Sequence, residues 1–194
     1  MKVHQVINSL FASNTWVIDL GISVWLVDCG DIDQIVYIIG NKPVVGVLLT
    51  HGHFDHIYGL NDLFDRYPDT LVYTNTAGQE MLMDDKKNLS RYHETPFLFE
   101  NPECIRLVNE GDEIFLDRNV ATIVTSTPGH NASCLTYATD DAIFTGDAYI
   151  PGLKVVTNLP GGNRALAAQS VERILELAKD RTIYPGHGDI LASS

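Results

Sequence analysis

Five of the seven histidines lie in three short segments that also contain Asp, Gly or Pro. The segments read THGHFDH at 50–56, TPGH at 127–130 and YPGHG at 184–188, and FTGD lies between the last two at 144–147. Imidazole nitrogens and carboxylates are the ligands that zinc and similar divalent ions prefer. The residue types and their grouping therefore predict a divalent metal centre.

The spacing within the first segment predicts ligands for two positions. His51 and His53 are two residues apart, so they share one face of an extended chain. Asp55 and His56 come after the turn and can point to a second position nearby. Two metals roughly 3.5–4 Å apart can share a water and stabilise the charge that develops on a substrate. One loop can thus supply ligands to a dinuclear centre.

Short strands and a few helices must position these segments. We predict strands at 15–20, 23–28, 44–50, 71–74, 105–108, 113–116, 121–126, 134–138, 142–145 and 182–184. Helices are predicted from Asp31, Leu60 and Thr76, and a fourth follows Asn163. The apolar stripe predicted for the fourth helix is Ala167, Val171, Ile174, Leu175 and Ala178. Residues 84–102 are polar and irregular. Strand–helix units mixed with β-meanders indicate an α+β fold of layered sheets covered by helices.

Composition narrows the function classes. The chain has 194 residues, which predicts a single domain over 1–194, and its net charge of −12 disfavours a nucleic-acid partner. No apolar run approaches the roughly 18 residues of a membrane span, and the N-terminus lacks the apolar core of a signal peptide. We therefore expect a cytoplasmic protein that acts on a small molecule. Three cysteines without a C-x-x-C pair argue against a disulfide scaffold or a thiolate zinc site.

Taken in order, the segments resemble the motifs of the metallo-β-lactamase-fold hydrolases, and within them the glyoxalase-II-like (hydroxyacylglutathione hydrolase-like) branch. The resemblance runs from about Asn14 to Asp189. LPGGN at 159–163, and NLS at 88–90 followed by Pro96-Phe97, are also similar to that branch. The resemblance implies a four-layer αββα sandwich, in which two mixed β-sheets lie face to face with helices outside.

The resemblance also implies a role for each motif residue, with zinc as the expected metal and iron or manganese as alternatives. Metal one would be bound by His51, His53 and His130, metal two by Asp55, His56 and His187, and Asp147 would bridge them. Asp28, in VDCG at 27–30, would orient a ligand without binding metal, or cap its turn. Tyr58 and Tyr149 are candidates for the substrate pocket, with ordinary packing as the alternative for Tyr149.

The implied chemistry is hydrolysis of a small ester-like bond, most simply a thioester of the hydroxyacylglutathione type. Hydroxide shared by the two metals would attack the carbonyl, with Asp55 and Asp147 as the catalytic carboxylates. No Ser or Cys nucleophile is then required. Cys29 and Cys134 are interpreted as small buried hydrophobes.

Several alternatives stay open at this point. Asp147 separates the chain from true β-lactamases, which lack a bridging Asp there. Full-length glyoxalase II enzymes hold much of their glutathione site in a C-terminal helical domain, whereas only residues 188–194 follow His187 here. A second copy of the chain in a homodimer is one way to complete the pocket.

Acyl-homoserine-lactone lactonases share the seven ligands but have a Tyr three residues after the bridging Asp, where this chain has Ile150. A persulfide dioxygenase with one iron and a non-catalytic metal-binding module are further alternatives.

Overall fold

The computed structural model of the chain describes residues 1–192, so the last two residues of the predicted 1–194 domain lie outside the described range. The strands are β1 (Lys2–Ile7), β2 (Asn14–Asp19), β3 (Val24–Val27), β4 (Val44–Leu48), β5 (Leu71–Thr74), β6 (Ile105–Leu107), β7 (Glu113–Phe115), β8 (Ala121–Ser126), β9 (Leu135–Ala138), β10 (Ala142–Gly146) and β11 (Thr182–Pro185). The α-helices are α1 (Ile32–Ile39), α2 (Leu60–Arg66), α3 (Thr76–Leu82) and α4 (Arg164–Leu177).

These strands form two mixed sheets. The first sheet has the order β1-β2-β3-β4-β5-β6, and the second has the order β11-β10-β9-β8-β7. In the first sheet the two hairpin pairings are antiparallel and the pairings from β3 to β6 are parallel. In the second sheet only β10 and β11 are parallel. Each parallel neighbour is reached through one of the four helices, which is the usual crossover for parallel strands.

Alternating side chains on the strands build the layers. On β2 and β3, Val17 and Leu26 belong to the apolar cluster that contains Ile35 and Leu63 of α1 and α2. Their neighbours Ile18 and Trp25 belong instead to a cluster with residues of the second sheet, among them Tyr137. On the far side of the second sheet, Ile143 packs with Ile174 of α4. The period of two expected for strands buried on both faces therefore produces helix, sheet, sheet and helix layers. This confirms the predicted α+β sandwich of two mixed sheets flanked by helices.

Most predicted elements are present, with ends shifted by one or two residues. The fourth helix begins after Asn163, whose side chain accepts from the backbone N–H groups of Ala165 and Leu166, as the N-cap prediction required. Among residues 1–192, no helix is both long and apolar enough to cross a membrane.

Two element predictions were wrong. The sequence did not predict β1, because this strand lies at the edge of the sheet, half of its residues are polar, and only Val6 is buried. Leu175 was assigned to the buried stripe of the fourth helix, but its side chain is 46% exposed. Ser170 is buried on that face instead, and its hydroxyl donates to the carbonyl of Pro128.

Candidate metal centre

The motif residues converge because they all follow strand ends on one edge of the sandwich. Asp28 follows β3 and His51 follows β4, and these two strands run parallel. Asp147 and His187 follow β10 and β11, which are also parallel. His130 follows β8, which runs in the same direction because β9 is antiparallel to both of its neighbours. The carboxyl ends of these strands therefore present the side chains from both sheets to one place.

The first cluster consists of His51, His53 and His130, whose ligand atoms all lie within 4.8 Å of one another. All three rings are buried, and His130 Nε2 lies 2.8 Å from His53 Nδ1. Burial and the neighbouring imidazoles lower the pKa of His51 well below its ordinary value, and they lower the pKa of His53 to about 3. His51 and His53 are therefore neutral at physiological pH, and the neutral ring is the form that binds a metal.

The second cluster consists of Asp55, His56 and His187, and it contains a carboxylate. His187 Nε2 lies 3.3 Å from Asp55 Oδ2 and 3.3 Å from His56 Nε2. Burial disfavours the charged form of His56, but the carboxylates of Asp55, Asp147 and Asp28 outweigh burial and raise its pKa to about 10. Burial also opposes ionisation of Asp55, but His56 and His187 hold its pKa below the ordinary range. His56 in the second cluster thus retains a proton at physiological pH, whereas His51 and His53 in the first do not.

Asp147 connects the two clusters. Its Oδ2 lies 3.6 Å from His130 Nε2, and its Oδ1 lies 3.5 Å from His56 Nε2 and 3.6 Å from His187 Nε2. The two oxygens of one carboxylate therefore face different clusters, which is the arrangement a bridging ligand requires. Gly186 makes room for it, because a Cβ at Gly186 would overlap Asp147 Oδ1.

Two buried polar atoms in this centre have no hydrogen-bond partner within residues 1–192: His51 Nε2 and Asp147 Oδ1. Buried polar groups are almost always satisfied, so each such atom calls for an explanation. One is in the first cluster and the other faces the second. Divalent cations held among these donors would satisfy both atoms, and the donor set of imidazoles and carboxylates suits such cations. The residues present fit a metal centre.

Asp28 orients one imidazole ring in each cluster. Its Oδ2 accepts from His56 Nδ1 at 2.8 Å and from the hydroxyl of Thr50 at 2.7 Å. Because the Thr50 hydroxyl donates to Asp28, it accepts from His51 Nδ1, which lies 3.1 Å away. Both rings are then left with Nε2 free to bind a metal. Asp28 has a φ of +60°, a left-handed conformation that Asp tolerates better than most residues. Burial raises the pKa of Asp28, while its hydrogen bonds and the charge of His56 oppose that rise.

Two further contacts in the centre were missed by the sequence analysis. The backbone carbonyl of Val156 accepts from His130 Nδ1 at 2.8 Å, which leaves His130 Nε2 free. The amide Nδ2 of Asn131 lies 3.4 Å from His53 Nε2, and the amide oxygen of Asn131 accepts from the backbone N–H and hydroxyl of Ser133. Asn131 directly follows a histidine of a Pro-Gly-His turn, and this adjacency was the one available signal. Asn in such a segment is more readily interpreted as a turn residue.

The β1–β2 hairpin holds the loops of the second cluster. Ser13 Oγ donates to the carbonyl of Asp55 at 2.6 Å. Asn14 and Trp16 both donate from their side chains to the carbonyl of Pro185, at 3.0 and 2.9 Å. The strand missed in the sequence thus belongs to the hairpin that fixes Asp55 and His187.

The structure places the hydroxyl groups of the two tyrosines of the predicted pocket away from the residues of the two clusters. The Tyr58 hydroxyl donates to Asp31, the N-cap residue of α1. Tyr149 packs against the cluster between α4 and the second sheet, and its backbone carbonyl accepts from the Thr145 hydroxyl. Neither hydroxyl has a hydrogen bond to a residue of the two clusters within the part of the chain that the structure describes.

Comparison with known proteins agrees with this architecture. A family model described as the metallo-beta-lactamase superfamily matches residues 9–187. A Streptococcus pyogenes serotype M6 protein named "Probable metallo-hydrolase M6_Spy0554" is 28% identical over 97% of this chain and 84% of its own length. The crystal structure of BLEG-1 B3 metallo-beta-lactamase superposes with a TM-score of 0.87 at 25% identity, covering 98% of this chain and 93% of that one. ETHE1 from Myxococcus xanthus superposes with a TM-score of 0.76 at 23% identity, covering 98% and 79%. The chain therefore belongs to the metallo-beta-lactamase superfamily.

Proposed function

We propose that this protein is a dinuclear metal-dependent hydrolase of a small thioester. The observation that carries the proposal is the position of Asp147, whose two carboxylate oxygens face two separate groups of ligands. The relative named as a metallo-hydrolase, which aligns with nearly the whole chain, supports hydrolytic chemistry.

In this proposal His51, His53 and His130 hold one divalent ion, and Asp55, His56 and His187 hold the other. When bound, such a pair lowers the pKa of water to near neutrality and polarises a carbonyl oxygen. The metals are expected to be zinc, with iron or manganese as alternatives. Measurement of the metal content of the purified protein identifies them.

The protein's own contribution is to fix the rings and to supply charge. Asp28, Thr50 and Val156 hold the far nitrogens of three imidazoles, so that Nε2 of each faces the centre. Asp55 and Asp147 supply two negative charges that offset the charge of the metals. A carboxylate at the centre is also positioned to accept a proton from water during the reaction.

The surroundings of the cysteines support hydrolysis without a covalent intermediate on the protein. Cys29 and Cys134 are buried. Burial raises the pKa of Cys134 to about 12 and that of Cys29 further still. Both therefore stay as unreactive thiols at neutral pH. Ser133, near the first cluster, donates its hydroxyl to the amide oxygen of Asn131 at 2.7 Å, and it has no basic partner within residues 1–192.

The choice of a thioester rests on the resemblance of LPGGN at 159–163 and of the four motifs to the glyoxalase-II-like branch. The test is turnover of S-lactoylglutathione by protein with measured metal content, beside a chelated sample. The expected result is metal-dependent hydrolysis with a kcat/KM above roughly 10⁴ M⁻¹s⁻¹. Negligible turnover from a centre that holds two metals would remove glutathione thioesters from the assignment, and other thioesters would be tested next.

Three other substrates are measured on the same preparation to separate the alternatives. Hydrolysis of an acyl-homoserine lactone in preference to the thioester would make the protein a lactonase. Preferred hydrolysis of a chromogenic cephalosporin would align it with the activity in the name of BLEG-1. Oxygen uptake with glutathione persulfide by a form that holds one iron would place it with the dioxygenases.

A further inference from the structure

A surface cavity of about 370 Å³, open to solvent, lies between the segment that follows Asp147 and the N-terminal half of α4. Leu153 and Val155 line it from the segment, and Ala168 and Val171 line it from the helix. This size and this largely apolar lining are typical of small-molecule sites. No residue of the two metal-ligand clusters lines the cavity, so it is distinct from the metal centre.

Two cationic side chains, Lys154 and Arg164, also line the cavity. Within residues 1–192 neither forms an ion pair or a side-chain hydrogen bond, which is also true of Lys2, Lys86 and Arg118, but only Lys154 and Arg164 of these five line this cavity. The chain carries 25 acidic residues against 13 Lys and Arg residues. Two unpaired cations at one apolar cavity indicate an anionic group on the ligand.

The charges on α4 make the two ends of the cavity electrostatically different. Arg164 lies in the first turn of the helix, and Glu172, which also lines the cavity, lies eight residues further on. Eight residues correspond to about 12 Å along a helix axis. The partial positive charge of the helix N-terminus adds to that of Arg164. An anion is therefore favoured at the Arg164 end and disfavoured at the Glu172 end, with Ala168 and Val171 between them.

The cavity contacts the segment that orients His130. Val155 and Thr157 line the cavity, and the carbonyl of Val156 between them accepts from His130 Nδ1. Tyr149, two residues after Asp147, lines the cavity as well. A bound molecule would therefore touch the segment that connects to both ligand clusters.

We propose that this cavity is a binding site for a straight-chain aliphatic carboxylate. The carboxylate lies at Lys154 and Arg164, and the chain lies along Ala168 and Val171. The proposal does not depend on the hydrolysis of a thioester, because its test is binding.

The test is calorimetric titration of the metal-loaded protein with octanoate and with octylammonium, which have the same chain length and opposite charge. A protein of net charge −12 attracts the cation by non-specific electrostatics. The proposal requires the opposite preference. We expect octanoate to bind at least about five-fold more tightly than octylammonium, as one partly exposed charge pair allows. Equal affinity or preference for octylammonium would overturn the proposal.

Two pairs of variants establish whether octanoate binds in this cavity. Ala168→Phe fills the cavity and should weaken octanoate binding by more than about ten-fold, because the chain then loses its apolar surface. Gln169→Phe places the same side chain on an exposed position of α4 that does not line the cavity and should leave binding unchanged. The double variant Lys154→Gln with Arg164→Gln should remove the preference for octanoate. Arg118→Gln, which removes a cation that does not line the cavity, should keep it.

Octanoate could instead bind the metals through its carboxylate. In that case Ala168→Phe would bind octanoate as tightly as the unmodified chain, and the proposed site would be wrong. Melting temperatures of all variants, measured in parallel, establish that each is folded. Turnover of S-lactoylglutathione is recorded separately, so a failure of this site and a failure of the proposed hydrolysis are distinguishable.

Discussion

The two ligand clusters lie side by side but are built differently. The first consists of three buried imidazoles, and the pKa values of His51 and His53 are lowered by burial and by mutual repulsion. The second includes Asp55 and has His187 at its more exposed edge, and the pKa values of His56 and His187 are raised by carboxylates. At neutral pH, His51 and His53 are thus ready to bind a cation, whereas His56 in the second cluster must first give up a proton.

This difference indicates how a short loop can serve two positions. His51 and His53 lie at the end of a buried strand, where desolvation dominates, while Asp55 and His56 lie after the turn, where carboxylates dominate. The histidines are therefore not equivalent ligands, even within one heptapeptide. Substitutions in the two clusters test this contrast, and the residue that both clusters share should give the largest effect.

Asp147→Asn should produce the largest effect, because the amide keeps the shape of the side chain but lacks the charge that both clusters use. We expect metal-dependent turnover to fall by about 10³-fold. Metal content per folded chain should fall with it. Asp140→Asn, which changes an exposed carboxylate near the same strand, is the matched control and should leave both quantities unchanged. Normal turnover by Asp147→Asn at equal metal loading would show that the bridging assignment is wrong.

Asp28→Asn should weaken metal binding by about 10- to 100-fold, with the greater loss at the second cluster. The reason is that Asp28 accepts directly from His56 but reaches His51 only through Thr50. Titration of zinc against a competing chelator separates the two binding steps.

Asn131→Ala is the matched variant for the first cluster, since Asn131 contacts His53 but neither His56 nor His187. Its amide Nδ2 lies 3.4 Å from His53 Nε2 and is a donor, so it restricts the ring by contact and does not accept the ring's proton. The expected loss is therefore at most about ten-fold, at the first cluster alone. If the two variants weakened the same binding step, the clusters would not be separate sites.

The pH dependence of metal binding should also differ between the clusters. With a pKa of about 10, His56 carries a proton throughout the range from pH 8 to pH 6, and a metal must displace that proton. Affinity at the second cluster should therefore fall by at least about ten-fold for each unit by which the pH is lowered. His51 and His53 are unprotonated over the same range, so they contribute no such slope at the first cluster. Proton release on zinc addition, measured in weak buffer, reports the difference. Equal release from both binding steps would contradict it.

Much of the fold could be predicted from the sequence because apolar periodicity is a local property. Residues 71–74 and 121–126 form strands with the predicted bounds. Errors arose where tertiary contacts decide the outcome. β1 pairs with β2 at the sheet edge although its residues are only partly buried, and Ser170 takes a buried position because Pro128 offers a carbonyl to its hydroxyl.

For the candidate site too, some residues could be predicted from the sequence and others could not. The seven motif residues could be predicted from local spacing and from family resemblance, and the structure brings them together. Asn131 and Val156 could not be predicted, because each acts on a histidine through a contact that depends on the conformation of a loop. Asn131 meets His53 across 78 residues of chain, and Val156 meets His130 across 26. Spacing within a motif carries no information about either contact.

The smallest effect is expected at Tyr58, which lies two residues after His56 but contacts Asp31 at the start of α1. Tyr58→Phe removes one partly buried hydrogen bond to a charged acceptor, so the free energy of unfolding should fall by about 1–2 kcal/mol. Turnover and KM should stay the same, because the lost hydroxyl faces Asp31 and not the ligands. Urea denaturation and steady-state kinetics on the same preparation measure both. A change in KM with unchanged stability would instead return Tyr58 to the substrate pocket that the sequence predicts for it, and would extend the influence of the second cluster's loop beyond its metal ligands.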